Sequence, residues 1–132
     1  MSLIPVYVSI CEYLHQNNLG NIGYGIFGGE WGDEDAQILV LSGGGTVAAP
    51  KTQYLNVEIQ FIVRGNKRQS DREVYEVAKR VYNLMILTPD QIDIDGVCFT
   101  GFEPITNLAS LGKDDNERFM YTMNFSTYTN PT

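Results

Sequence analysis

The sequence is poor in the residues that build metal and redox chemistry. It holds 1 histidine, His15, and 2 cysteines, Cys11 and Cys98. Two cysteines so far apart do not make a disulfide framework, and both fall in apolar surroundings, as buried free thiols do. One histidine without a paired-cysteine motif does not make a zinc site. Basic residues are scarce as well: 9 Lys and Arg stand against 16 Asp and Glu, a net charge of −7. An acidic surface repels phosphate, which argues against a protein that coats nucleic acid and against a basic helix lying on a membrane. Apolar runs such as 38–41 are far too short to span a bilayer. The N-terminus lacks the basic and apolar regions of a secretion signal, so none is expected.

What is present is a folded profile. The chain has 132 residues, 43% hydrophobic and 19% charged, which sets one domain over 1–132 as the expectation. A chain of this size buries roughly two-thirds of the surface its unfolded form exposes. There is no internal repeat and no interdomain linker.

The apolar periodicity lays out the elements. Val6, Ile10 and Leu14 form one helical stripe within a helix over about Leu3–Asn18, with Pro5 suited to its first turn and Gly20 placed for a left-handed cap. A glycine-rich stretch, 20–32, follows. In it Ile22, Tyr24 and Ile26 alternate as a short irregular strand, before the acidic turn Asp33–Asp35. Ala36–Leu41 reads as a buried strand, and 43–53 as a polar, projecting loop. Tyr54–Arg64 is the clearest strand. Leu55, Val57, Ile59, Phe61 and Val63 point one way; Tyr54, Asn56, Glu58, Gln60 and Arg64 point the other, with Ile62 the exception.

The clearest helix follows. Ser70 and Glu73 make a capping box, and Val74, Val77, Ala78, Val81, Leu84 and Met85 an apolar face; Thr88–Pro89 ends it. After Asp95–Gly96, 97–102 reads as a strand. A connection with Pro104 and Gly112 leads to the polar turn 113–116, and the last strand runs from Arg118 to about Tyr128. Consecutive strands without helical crossovers favour a mostly antiparallel sheet with two main helices packed on one face, an α+β domain.

The motifs that carry chemistry are weak. Gly23, Gly25 and Gly28 match G-x-G-x-x-G, but that phosphate site needs a strand before it and a helix N-terminus after it. Here a helix precedes and acids follow. Ser42–Gly45 lacks the Lys and Ser/Thr of a P-loop. Asp93, Asp95 and Gly96 lack the remaining ligands of a calcium loop and read as a turn. His15 has no nucleophile or carboxylate at an informative spacing. No catalytic residue, cofactor or metal is expected. The polar residues without a structural reason gather in the loops 43–53 and 112–117, a profile closer to an interaction protein than to an enzyme.

The second half of the chain carries a resemblance. The run 54–65, then Asp71-Arg-Glu73-Val-Tyr-Glu-Val-Ala78, Phe102-Glu-Pro104, Leu111-Gly112-Lys-Asp114 and Glu117–Phe125 resemble the tail-terminator and minor capsid proteins of tailed bacteriophages, the head–tail joining proteins. The resemblance is strongest over about 54–128 and does not extend to the glycine-rich stretch 20–32. It implies a non-enzymatic morphogenetic protein of the virion, made in the bacterial cytoplasm. It further implies a homo-oligomeric, hexameric ring at the head-proximal end of the tail tube, with tube and head-connector proteins as partners. No specific nucleic-acid binding and no membrane are expected. The candidate subunit or tube interface is Gly43, Gly44, Gly45, Lys51, Asn56, Glu58, Gln60, Arg64, Lys113 and Asp114. The competing readings are a small α+β ligand-binding domain or enzyme with a pocket near 20–34, and a cellular interaction module of similar fold.

Overall fold

Strand β3 (Leu55–Arg64) lies inside the sheet, flanked by β2 (Gln37–Gly43) and β7 (Phe119–Asn130), both antiparallel to it. Its alternation holds: Val57, Ile59, Phe61 and Val63 are buried, while Asn56, Glu58, Gln60 and Ile62 keep some exposure. The register sets Phe61 opposite Met123 and Ile59 opposite Phe125, so β7 adds its own buried row to the same face. The rings of Phe61 and Phe125 meet edge-on at 5.9 Å. The computed structural model describes residues 6–20, 23, 25–32, 36–43, 55–94 and 96–130.

Helices α1 (Val6–Gln16) and α2 (Asp71–Ile86) cover that apolar face. The capping box of α2 forms as its spacing requires. The Glu73 N–H donates to Ser70 Oγ at 3.2 Å, and the Ser70 N–H donates to Glu73 Oε1 at 3.1 Å. Val74, Ala78, Val81 and Met85 are buried, with Val77 and Leu84 packed beside them. In α1 Ile10, Cys11 and Leu14 reach the core. The expected start of α1 near Leu3 lies outside the described residues. Its left-handed cap is Asn18, at φ +64°, rather than Gly20. The Leu19 N–H reaches back to the Leu14 carbonyl at 3.1 Å, and asparagine tolerates that backbone region better than most residues.

The sheet runs β1 (Ile26–Gly28), β2, β3, β7, β5 (Val97–Phe99), β4 (Ile92–Ile94), with β6 (Glu103–Lys113) also paired to β7. This is the expected α+β architecture, mostly antiparallel. The exception is β1, which pairs parallel with β2. The expected strand over Ile22, Tyr24 and Ile26 is thus a shorter one that starts at Ile26; Ile22 and Tyr24 lie outside the described residues. Glycine has a packing reason here. A Cβ at Gly28 would stand 3.2 Å from Cys11 Sγ and 3.3 Å from the Tyr7 ring, so α1 can sit close on β1. The third glycine of G-x-G-x-x-G therefore ends a strand, and among the described residues the next helix is α2.

The C-terminal half corrects two expectations. β4 (Ile92–Ile94) and β5 (Val97–Phe99) form a small hairpin around Gly96, at φ +81°, so the strand expected over 97–102 is shorter. The segment expected to be a connection is β6 (Glu103–Lys113), a long strand along β7. Its sequence hides it because among the described residues it pairs on one side only, is exposed along nearly its whole length, and shifts register three times. Period-2 alternation needs a buried face and an unbroken ladder, and β6 has neither.

Candidate interaction surface

The face of the sheet away from the helices is polar where β3 meets β7, while Leu39 and Ile62 stand opposite each other on the same face. Asn56, Glu58 and Gln60 of β3 stand beside Thr122, Asn124 and Ser126 of β7. Side chains link across the strands. Ser126 Oγ donates to Asn56 Oδ1 at 2.8 Å, Gln60 Nε2 to Thr122 Oγ1 at 3.2 Å, and Asn124 Nδ2 to Thr106 Oγ1 of β6 at 3.2 Å. These cross-strand bonds hold the side chains in a fixed array. Glu58 is exposed, beside a shallow depression of about 190 Å³ lined by Leu41, Ser42, Glu58, Gln60 and Asn124. Three of the expected interface residues, Asn56, Glu58 and Gln60, are thus brought together.

Arg64 shares their strand but is placed differently. It is buried, and its guanidinium lies 4.1 Å from the centroid of the Trp31 ring. Arginine stacks well on an indole face, so this contact ties Trp31 to the end of β3. Arg64 is therefore packed within the subunit rather than offered on its surface. Beside it, Gln37 bonds both the N–H and the carbonyl of Gly32, at 2.9 and 2.7 Å.

Lys113 ends β6 and Asp114 begins the turn to β7. The Lys113 ammonium lies 4.8 Å from the Phe119 ring centroid. Asp114 accepts from the Asn116 N–H, the Arg118 N–H and Arg118 Nε, at 2.9, 2.9 and 2.8 Å. Desolvation pushes the Asp114 carboxyl up, but the bonds from Arg118 and Asn116 outweigh it and hold it below its ordinary value. Glu117 at φ +60° completes a tight, self-bonded turn. Gly43 ends β2, while Gly44, Gly45 and Lys51, with the rest of the expected loop, lie outside the described residues.

Features the sequence left unmarked complete the surface. Tyr121 donates its hydroxyl to Asp71 Oδ1 at 2.6 Å, pinning the start of α2 to β7. That bond, with burial, pushes the phenol up to about 12. Ile105 and Leu111 of β6 are 48% and 50% exposed, and Leu87 at the end of α2 is 80% exposed. No periodicity flags Ile105 and Leu111, because the strand that carries them has none.

The glycine-rich end holds little chemistry. The cavity beside it, about 120 Å³, is lined largely by apolar groups including Leu19, Ile38, Val63, Val74 and Val77. That is smaller than the roughly 300–1,000 Å³ usual for ligand pockets. Two of its polar side chains are committed locally: Gln37 to Gly32, and Gln69 Oε1 to the Asn66 N–H at 2.8 Å. His15 is exposed, its Nδ1 2.9 Å from the Gly20 carbonyl. Burial pushes the Cys11 thiol up to about 11, so it is no nucleophile at neutral pH.

Comparison with curated proteins gives no match. The family model described as Bacteriophage tail terminator protein matches residues 13–130, which takes in every strand, α2 and the end of α1. Proteins of this family are structural parts of the phage tail and hence of the virion, not enzymes. Among the described residues no helix is long and apolar enough to cross a membrane. The chain belongs to the bacteriophage tail terminator family.

Proposed function

We propose that the protein acts as one domain that closes into a homo-oligomeric ring, a hexamer on the resemblance, at the head-proximal end of the tail tube. There it stops tube growth and joins the tail to the head connector. The match to the tail terminator family over residues 13–130 carries this reading. The fold supports it. The sheet ends in unlike edges, β1 on one side and β6 and β4 on the other. Contacts between unlike surfaces are head-to-tail, and such contacts close into rings when the rotation permits.

The charge supports it as well. A net charge of −7 gives a ring whose channel repels the DNA that must pass through it. The polar array of Asn56, Glu58 and Gln60 suits a channel wall or a wet subunit contact. Gly43, Gly44, Gly45 and Lys51 mark the segment that would reach the neighbouring subunit or the tube, and Lys113 and Asp114 a rigid turn for the same use. The subunit would be made in the host cytoplasm and carried in the virion.

The test is tail morphology after infection by phage deprived of this chain. Overlong tubes and unattached heads are expected, and the wild-type chain supplied in trans restores both. Tails of normal length and normal joining without the chain would overturn the reading.

A further inference from the structure

Ile105 and Leu111 are exposed for a shared reason. Pro104 pairs with Phe125 and Thr106 with Asn124, so Ile105 is an extra residue with no partner on β7. Ser110 pairs with Tyr121 and Gly112 with Met120, so Leu111 is another. Both large exposed aliphatic side chains of β6 are thus inserted residues of β-bulges. Bulges re-aim side chains and blunt a strand's free edge against ladder pairing, and Pro104 removes one N–H besides. This edge offers its side chains rather than its backbone.

A groove elsewhere on the molecule matches them. It lies between the end of α1 and α2, lined by Asn17, Leu19, Arg80, Asn83, Leu84 and Leu87, with a volume of about 290 Å³. Leu19, Leu84 and Leu87 give it an apolar part, Asn17 and Asn83 a polar one, and Arg80 supplies a positive charge at an exposed position. Two residues before Ile105 the arm carries Glu103, also exposed. The groove opens on the α1 side of α2. The arm follows β7, which packs on α2 through the Tyr75–Tyr121 and Tyr82–Phe125 ring contacts. The two patches share no residue, so a contact between them is head-to-tail.

We infer that the β6 arm of one subunit docks on the α1/α2 groove of a second copy of this chain, with Ile105 entering beside Leu84 and Leu87 and Glu103 facing Arg80. Leu111 extends the contact along the arm. The charge pairing selects this partner. In a chain of net charge −7 two copies repel, and contact is favoured where a basic group meets an acid. The inference rests on the ring proposed above and names its contact.

Full-length chains test it, in a Cys98→Ser background that leaves only the buried Cys11. Ile105→Cys and Leu87→Cys proteins are mixed and mildly oxidised. A disulfide-linked pair of the two variants is expected, and neither alone should form one. If the wild type has the mass of a ring and the mixture does not cross-link, the contact is overturned and the ring stands. If the wild type is a monomer and the mixture does not cross-link, both are overturned. Charge reversal gives a second readout. Glu103→Arg and Arg80→Glu alone should each weaken association about tenfold or more, and together restore most of it. Unchanged association in both single variants would contradict the pairing.

Discussion

β3 and β6 lie on opposite sides of β7, with 10 and 11 residues, and are otherwise opposites. β3 pairs with β7 through an unbroken register from Leu55–Thr129 to Arg64–Met120. It buries one whole face and can be read from its sequence. β6 breaks register three times, buries little and cannot. The first strand holds the fold together. The second is held by the fold and leaves its side chains free for another molecule. The proposed contact thus assigns stability and assembly to neighbours of the same strand, and mutations should separate them.

The largest expected effect is at the β3–β7 centre. Phe61 is fully buried against Phe125, so Phe61→Ala should cost about 3–5 kcal/mol in denaturant unfolding. A loss below 1 kcal/mol would break the comparison from that side. Next is the tie between α2 and β7. Tyr121→Phe removes the hydroxyl bond to Asp71 and should cost about 1 kcal/mol. Because folding raises this phenol to about 12 from its usual 10.0, its stabilisation is complete below pH 10.0 and fades as the pH rises toward 12. The Tyr121→Phe variant should lose that alkaline fall in stability, followed as thermal midpoint against pH.

A smaller effect is expected at the β6–β7 turn. The Asp114 carboxyl is held below its usual 3.8, so its stabilisation is complete above that pH and lost as the pH falls through the lower folded value. Asp114→Asn should therefore lower stability at neutral pH and flatten the acid limb of the profile, while leaving the alkaline limb unchanged. The smallest effect is on the arm. Ile105→Ala and Leu111→Ala should change unfolding by no more than about 0.5 kcal/mol, since neither side chain is in the core. A core-sized loss at Ile105 would show that β6 builds the fold, and the division between the two strands would fail.

The same contrast explains what the sequence revealed. Elements that bury a regular face were legible: β3 and β7 by alternation, α1 by its stripe, α2 by its stripe and by Ser70 and Glu73. Elements defined by tertiary context were not. β6 is a strand only because β7 offers it an edge, and its bulges erase the period. Arg64 has the parity of the polar face, yet Trp31 closes over it, and nothing in the spacing of residues 31 and 64 announces that contact. Asn18 took the cap expected of Gly20, a choice between two permissive residues that one sequence does not settle. At the candidate surface Asn56, Glu58 and Gln60 were legible by alternation. The exposed aliphatics were not, because a connection and a bulged strand look alike in sequence.

The central claim is that these subunits close into a ring, and the mass in solution tests it most directly. Light scattering on a sizing column, across a range of concentrations, is expected to give about 89 kDa, six copies of the 14.8 kDa chain. A mass of 14.8 kDa at every concentration would contradict it.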